Sequence, residues 1–422
     1  MIGKTPNLTK KIEKFMKIYT SALMPFRATE AFFTRDSGLL CRSLQTLGIE
    51  SKVIMPSGDS LENLDPNDVI RANDSQFTSA EWWQNLHIDG VVFIAWGFKK
   101  HTPVIRAARA AGIRTCALFD CNGDSFPYGE IFTKAKILWQ KGKFIDRTPK
   151  RILGTLARIA RCGALGIVNH YHRSVQMGVP HITAFQTPKT MERCMSVARL
   201  FPWIDCGSEA LVLGYAIPDL PPRRMETRRR TNVVAIARWD ALRHKRPHML
   251  IKVIDRVLKL HPTATFEIFG RLIPAIEKWH TGLKGSLRER VQIHGIKPSA
   301  EVIDAIASSQ TLYCPSVEEG VPLSVIEALC GGCSVAGLGA PAVPGLYWAI
   351  SEGDGSAAHD DSVAAHAAAV MSELTAWEDG RRDPKKISQH WQHWFSSRQV
   401  ALRVVELLTK PTVTTPSRFH DR

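Results

Sequence analysis

No part of this sequence is both long and uninterruptedly apolar. Ala328–Ile350 comes nearest: it carries no charged residue, but five glycines, Pro341 and Pro344 break it. It reads as a strand followed by a Gly/Pro-rich loop, and not as a membrane-spanning helix. Residues 1–20 hold lysines but no apolar h-region, so a secretory signal is not expected. Cysteines are few, odd in number at nine, and scattered, which suits reduced thiols in a cytoplasm better than a disulfide framework. Cys330 and Cys333 form a CxxC with only glycines between, and no second pair has zinc spacing. His170, His172 and His181 cluster without a metal spacing, and no convincing Asp-x-Asp motif occurs, so no metal is expected. Acids are short as well: 40 against 55 Lys and Arg, a net charge of +15. That balance favours an anionic partner, whether a membrane surface, a nucleic acid or a phosphorylated substrate.

What is present is alternation. In the second half, 232–238, 264–270, 291–296, 311–316 and 333–338 are short apolar or β-branched runs separated by helical patterns. This spacing means βαβ units, a parallel sheet and helices on both faces. The first half repeats the grammar at 14–21, 50–55, 90–96, 114–120 and 181–187, with Asp36 or Ser37 placed to cap a helix ending at Gly48. An α/β chain of two Rossmann-like domains follows. Residues 1–218 form the first and 231–385 the second, joined by a linker, 219–230, that holds Pro221–Pro222 and five arginines. The segment 386–409 reads as one or two helices with Trp391, Trp394 and Phe395 on an apolar face, and 410–422 as a disordered tail.

The segment 134–161 stands apart, with nine Lys or Arg against Asp146 alone, and with Ile152, Leu156 and Ile159 on one helical face. It fits a core-facing helix with a solvated basic face, or a patch on anionic lipid. Aromatic residues are sparse there and no nucleic-acid signature appears, so nucleic acid is not the expected partner.

The chemistry concentrates in Ser316–Gly332, SVEEGVPLSVIEALCGG. A strand ends near Ser316, Glu319 and Gly320 turn, and a helix begins at Pro322 or Leu323 and stops at Gly331–Gly332. The free N–H groups and positive dipole end of such a helix, set at the carboxyl edge of an open sheet, suit a phosphate. Two carboxylates eight positions apart offer acceptors for vicinal hydroxyls: Glu319 for a sugar over a pyrophosphate, Glu327 for a ribose. Spacing alone equally allows a turn residue and a solvated helix residue.

EEGVPLSVIEALCGG resembles the E-x7-E signature of retaining glycosyltransferases of GT-B fold, family four. Glu319, Gly320, Pro322, Leu323, Glu327 and Ala328 fit its pattern, and Val321 stands where Phe is usual. AIARWDALRHKRPH (235–248) is similar to the family's Gly-Arg…Lys-Gly element, with Ala237 and Arg246 replacing the glycines. The resemblance implies the following roles. Arg238 and Lys245 hold the leaving diphosphate, Glu319 contacts the sugar, and Gly320, Val321, Pro322, Leu323, Ser324 and Glu327 bind the nucleotide sugar. Gly270 allows close ligand approach, the backbone at Ile296 lies near the base, and Gly38 is the nearest match to a Gly-rich turn after strand one. Asp120 occupies the place of the family's His and either holds a sugar hydroxyl or contacts the acceptor.

The implied activity is hexosyl transfer from a nucleotide-diphosphate sugar to a glycan or lipid-linked acceptor. The first domain carries the acceptor, the second carries the nucleotide, and no cofactor or obligatory metal takes part. A final helix is implied to cross back to the first domain, and the protein to be cytoplasmic or peripheral at the inner membrane face. Two other readings share the fold: a nucleotide-sugar-binding subunit without turnover, and a sugar-nucleotide epimerase.

Overall fold

The computed structural model describes residues 16–58, 67–95, 99–121, 149–204, 209–220 and 232–410. Most of the expected linker, the basic stretch 134–148 and the tail from 411 lie outside the described residues.

The first sheet holds β1 (Ile18–Ala22), β2 (Val53–Pro56), β3 (Val69–Ala72), β4 (Gly90–Ala95), β5 (Arg114–Phe119), β6 (Ile182–Phe185) and β7 (Glu209–Val212). Among the described residues its order is β3-β2-β1-β4-β5-β6-β7, with every pairing parallel. The second holds β8 (Asn232–Ile236), β9 (Thr265–Phe269), β10 (Val291–Gly295), β11 (Thr311–Cys314), β12 (Ser334–Leu338) and β13 (Gly355–Ala358), in the parallel order β10-β9-β8-β11-β12-β13.

Central strands are buried on both faces, which is why β4 reads as an unbroken apolar run; β1 is buried throughout as well, although it holds Thr20 and Ser21. Helices supply the covering layers through stripes at helical spacing. The helix Pro247–Leu260, started by proline at its first turn, buries Met249, Leu250, Val253, Ile254, Val257 and Leu258. The uncharged stretch 328–350 contains β12, as read, but its Gly/Pro-rich remainder is not all loop. Pro344 begins the helix Pro344–Ser351, which buries Leu346 and Trp348.

In each sheet the order reverses once, between β1 and β4 and between β8 and β11. Open parallel sheets bind ligands at the carboxyl ends of the strands flanking such a point. These edges of the two domains meet. A Cβ at Gly320, after β11, would lie 3.2 Å from the Cys121 carbonyl group after β5 and 3.3 Å from Oε1 of Gln186 after β6. Arg193 crosses the same boundary, its Nη1 donating to the Pro341 carbonyl at 2.5 Å.

The C-terminal segment forms two helices broken at Ser396. The helix Pro384–Phe395 packs on the second domain through buried Trp391 and Phe395, which surround Trp348. The helix Ser397–Thr409 packs on Asp36–Thr46 of the first domain. The junction is pinned by backbone bonds from Ile217 to the Phe395 carbonyl (3.0 Å) and from Ser397 to the Ile217 carbonyl (2.9 Å). Gly214 permits this approach, since a Cβ there would meet the Trp394 carbonyl oxygen at 2.2 Å.

Candidate functional site

The loop after β8 is held from below. Ala237 donates to the Phe269 carbonyl (3.3 Å), Trp239 to that of Arg271 (3.0 Å), and the buried Trp239 ring donates through Nε1 to Phe269 (2.9 Å). Arg238, between these anchors, points outward and is exposed. The short helix Leu242–Lys245 follows, and Arg246 takes a left-handed conformation (φ 49°) before Pro247 starts the long helix.

Lys245 forms an ion pair with Glu319 Oε1, and both side chains are largely buried, at 16% and 15% exposed. Glu319 also accepts a hydrogen bond from Ser316 Oγ (2.8 Å), and its N–H donates to Ala342 (3.2 Å). The cation expected on the diphosphate and the first glutamate of the pair therefore converge from the two strands at the switch point. Gly320 lets this loop approach the first domain. Half-exposed Val321 and Ser324 and buried Pro322 lead into the helix Leu323–Cys330, whose core face is Val325, Ile326, Ala328 and Leu329, with Leu323 half-exposed.

Glu327 is half-buried one turn inside that helix. Burial pushes its carboxyl up, and the positive charge of Arg35, from the loop after β1, opposes this. A carboxyl held above its usual range accepts hydrogen bonds from a ligand most strongly once ionised, which the Arg35 charge favours.

The first domain contributes residues that spacing did not single out. Asp36 does not cap its helix. It bends to φ 53°, makes no capping bond, and pairs with Arg35 Nε at 2.9 Å while accepting a hydrogen bond from the Tyr215 hydroxyl. Burial first, then the charges of Asp120 and Asp36, pushes the Tyr215 phenol well above its usual range. Asp120, at the end of β5, accepts from Gln186 Nε2 at 2.9 Å, and Gln186 is buried. Arg35, Asp36, Asp120, Gln186 and Tyr215 thus form the first-domain wall facing Glu319, Gly320 and Glu327. Of this wall the resemblance names Asp120 alone; the unusual φ of Asp36 is a feature of the backbone, and no sequence pattern announces Arg35, Asp36, Gln186 or Tyr215.

Two glycines expected beside the ligand have packing reasons of their own. Gly38 is buried within the helix Asp36–Thr46, where a Cβ would sit 2.5 Å from the Phe32 carbonyl oxygen. Gly270 (φ 106°) lies under the β8 loop, its absent Cβ 1.9 Å from the Ala237 carbonyl oxygen. Ile296 is 70% exposed beyond β10, adjoining the site through the Gly270 N–H bond to the Gly295 carbonyl (2.7 Å).

The CxxC is structural. Cys330 is fully buried, and Cys333 Sγ donates to the carbonyls of Ile306 (3.0 Å) and Ser309 (3.2 Å). Burial raises the Cys330 thiol, the opposite of an activated one. Among the described residues no group of three metal-ligating side chains occurs, and no helix is long and apolar enough to cross a membrane. His181 Nδ1 accepts from the Thr115 N–H at 3.1 Å, and burial lowers the ring to about 4.

Two Rossmann-like domains meeting at their carboxyl edges, bridged by a final helix, define the GT-B architecture. Solved glycosyltransferases share it. Sucrose-phosphate synthase from Thermosynechococcus elongatus is 13% identical with a TM-score of 0.56, over 93% of this chain and 98% of that one. The lipopolysaccharide outer core galactosyltransferase WaaB is 12% identical with a TM-score of 0.60, over 93% and 99%. Anabaena Alr3699/HepE, solved in complex with UDP and glucose, is 12% identical with a TM-score of 0.53, over 94% and 100%. Residues 230–375, most of the second domain, match the sequence model of the family Glycosyl transferases group 1. No curated protein matches the chain in sequence.

Proposed function

We propose that this protein is a retaining glycosyltransferase that moves a hexosyl group from a nucleotide-diphosphate sugar to a glycan or lipid-linked acceptor of cell-envelope polysaccharide or lipopolysaccharide. The observation that carries the reading is the Lys245–Glu319 pair at the β8/β11 switch point, set within the E-x7-E spacing of Glu319 and Glu327. The family match over 230–375 and the fold shared with WaaB and HepE support it.

In this reading the diphosphate lies against Lys245, Arg238 and the first turn of the helix Leu323–Cys330. Cleavage of the sugar–phosphate bond builds negative charge on phosphate oxygens, which these fixed positive groups stabilise without reorganising. Glu319, already oriented by Lys245 and Ser316, accepts from sugar hydroxyls, and Glu327 accepts from the ribose. The acceptor approaches from the wall of Asp120, Gln186 and Tyr215. Retention follows the front-face route that the resemblance implies, in which a diphosphate oxygen takes the acceptor proton and no side-chain nucleophile is needed. Drying of the interdomain gap limits hydrolysis.

Radiolabelled sugar should pass from one member of a panel of UDP-, GDP-, ADP- and dTDP-sugars to a membrane extract. Free sugar or an epimer formed without acceptor would instead favour the epimerase, and tight donor binding with no transfer would favour the subunit.

A membrane-surface partner is part of the proposal. The helix Pro149–Met177 carries Lys150, Arg151, Arg158, Arg161 and Arg173 and no acid. Leu153, Leu156, Val168 and Tyr171, which share one helical face, are 70, 50, 47 and 39% exposed, so the core-facing reading does not hold at Leu156. An exposed apolar stripe on a helix whose sequence holds five cations and no acid suits anionic lipid. Co-sedimentation with phosphatidylglycerol vesicles is expected, weakening with salt and with Leu153→Glu/Leu156→Glu. Equal retention on neutral vesicles would contradict it.

A further inference from the structure

Arg246 occupies a backbone position that ordinarily selects glycine. Its φ of 49° and ψ of 59° are left-handed, a conformation disfavoured for an ordinary L-residue because Cβ crowds the following carbonyl oxygen. A long charged side chain there needs compensation, and the surroundings supply it. The guanidinium is buried and pairs with Asp361 Oδ1 at 2.6 Å, and Nη1 also donates to the Pro315 carbonyl at 3.4 Å.

These partners come from different strand ends. Pro315 follows β11 and precedes Ser316, whose hydroxyl holds Glu319. Asp361 lies beyond β13. Arg246 itself directly follows Lys245. One guanidinium therefore ties together the loops that carry both members of the Lys245–Glu319 pair and a third loop behind them. Asp361 is backed in turn by His366, with Nε2 3.7 Å from Oδ1, and His366 Nδ1 is 3.1 Å from the Tyr313 hydroxyl. Burial would raise the Asp361 carboxyl, but His366 and Arg246 outweigh it and hold it below its usual range, so the pair stays ionised. His248, on the next helix, is lowered to about 4 by burial and the Arg246 charge, and adds no competing cation near neutrality.

We propose that Arg246, clamped by Asp361, is a positioning residue that fixes Lys245 and the Glu319 loop for gripping a diphosphate. The proposal rests on the glycosyltransferase reading. Glycine could take the same backbone angles, so what arginine adds is the clamp.

The test compares a nucleoside diphosphate with its nucleoside. Wild-type protein is titrated calorimetrically with UDP, GDP, ADP and dTDP, and the tightest is carried forward. The nucleoside's affinity is read by NMR competition at millimolar concentration. Arg246→Gly keeps the backbone and removes the clamp. It should bind the diphosphate about tenfold more weakly, because the Lys245 contact to the phosphates is no longer held in place, while the nucleoside is unaffected. Arg246→Gly/Asp361→Asn removes the stranded carboxylate, which should restore the melting midpoint but not diphosphate affinity. Arg246→Lys should recover part of the loss.

If the selective loss persists in the stabilised double variant, positioning stands. Unchanged diphosphate binding in Arg246→Gly, equal weakening of diphosphate and nucleoside, or recovery in the double variant would each overturn it. Wild-type protein that binds no nucleoside diphosphate would instead remove the underlying glycosyltransferase reading.

Discussion

Lys245→Ala lowers turnover by on the order of 10²–10³, as expected for deleting one fixed positive group from a developing oxyanion. Lys245 meets Glu319 in a largely buried ion pair, so its ammonium is already placed and desolvated before a ligand arrives. A charge fixed in advance costs no reorganisation when phosphate charge develops. The deletion also strands the Glu319 carboxylate with only the Ser316 hydroxyl among its described side-chain partners. Lys245→Ala/Glu319→Gln, compared with Glu319→Gln alone because Glu319 is itself placed on the sugar, separates the two effects. It relieves the stranded charge and so recovers stability, yet it remains slow. Steady-state kinetics with the labelled donor and a melting curve for each variant give the comparison. A loss of turnover below about fivefold in Lys245→Ala would remove Lys245 from the leaving-group site.

Gly270→Ala should destabilise the second domain by on the order of 3 kcal/mol or more, combining a disfavoured backbone region with a direct clash. The φ of 106° is poorly open to a residue with a side chain, and the new Cβ would fall 1.9 Å from the Ala237 carbonyl oxygen. Neither atom belongs to a flexible side chain, so the β8 loop itself must move. That loop carries Arg238 between the Ala237 and Trp239 hydrogen bonds, so nucleotide affinity should fall together with stability. Gly112→Ala is the control: its φ of 82° is also positive, but no atom lies within 4 Å of the added Cβ, leaving conformational strain alone. Urea denaturation should give Gly112→Ala a loss of about 1 kcal/mol. Similar losses at the two positions would contradict the steric part of the argument.

Much of the second domain was legible because buried parallel strands write continuous apolar runs. β8, β9, β11 and β12 fall where such runs occur, and the alternating Val291–Gly295 marked β10 even at an edge. The strands that escaped notice are the other edges. β3, β7 and β13 each end a sheet, are partly exposed, and lack a distinctive run: β7 is Glu-Ala-Leu-Val and β13 is Gly-Ser-Ala-Ala. The helix Pro344–Ser351 was hidden because dense Gly and Pro suggested loop, although proline at a first helical turn was itself a start signal.

The site divides in the same way. Lys245, Glu319 and Glu327 could be singled out because one loop and one helix each carry a local pattern, and the structure pairs the first two. Arg35, Asp36, Gln186 and Tyr215 were missed because only the sheet order brings them together. Tyr215 and Asp36 are 179 positions apart: Tyr215 lies beyond the edge strand β7 and reaches Asp36, beyond β1, although three strands separate the two in the sheet. The cleft-facing side of the first domain is assembled by topology, and a single sequence offers no spacing from which to read it. Gly38 and Gly270 show the converse. Each was assigned to a ligand by resemblance, and each also has a packing reason in the neighbouring backbone that the sequence did not reveal.

The most direct measurement is calorimetric titration of the full chain with UDP-, GDP-, ADP- and dTDP-sugars, alongside the melting midpoint at each concentration. Saturable binding of at least one nucleotide sugar at a single site, weakened in Lys245→Ala, is the expected result. A folded, cooperatively melting protein that gives neither heat nor a midpoint shift with any of them would contradict the assignment of the β8/β11 switch point to an activated sugar.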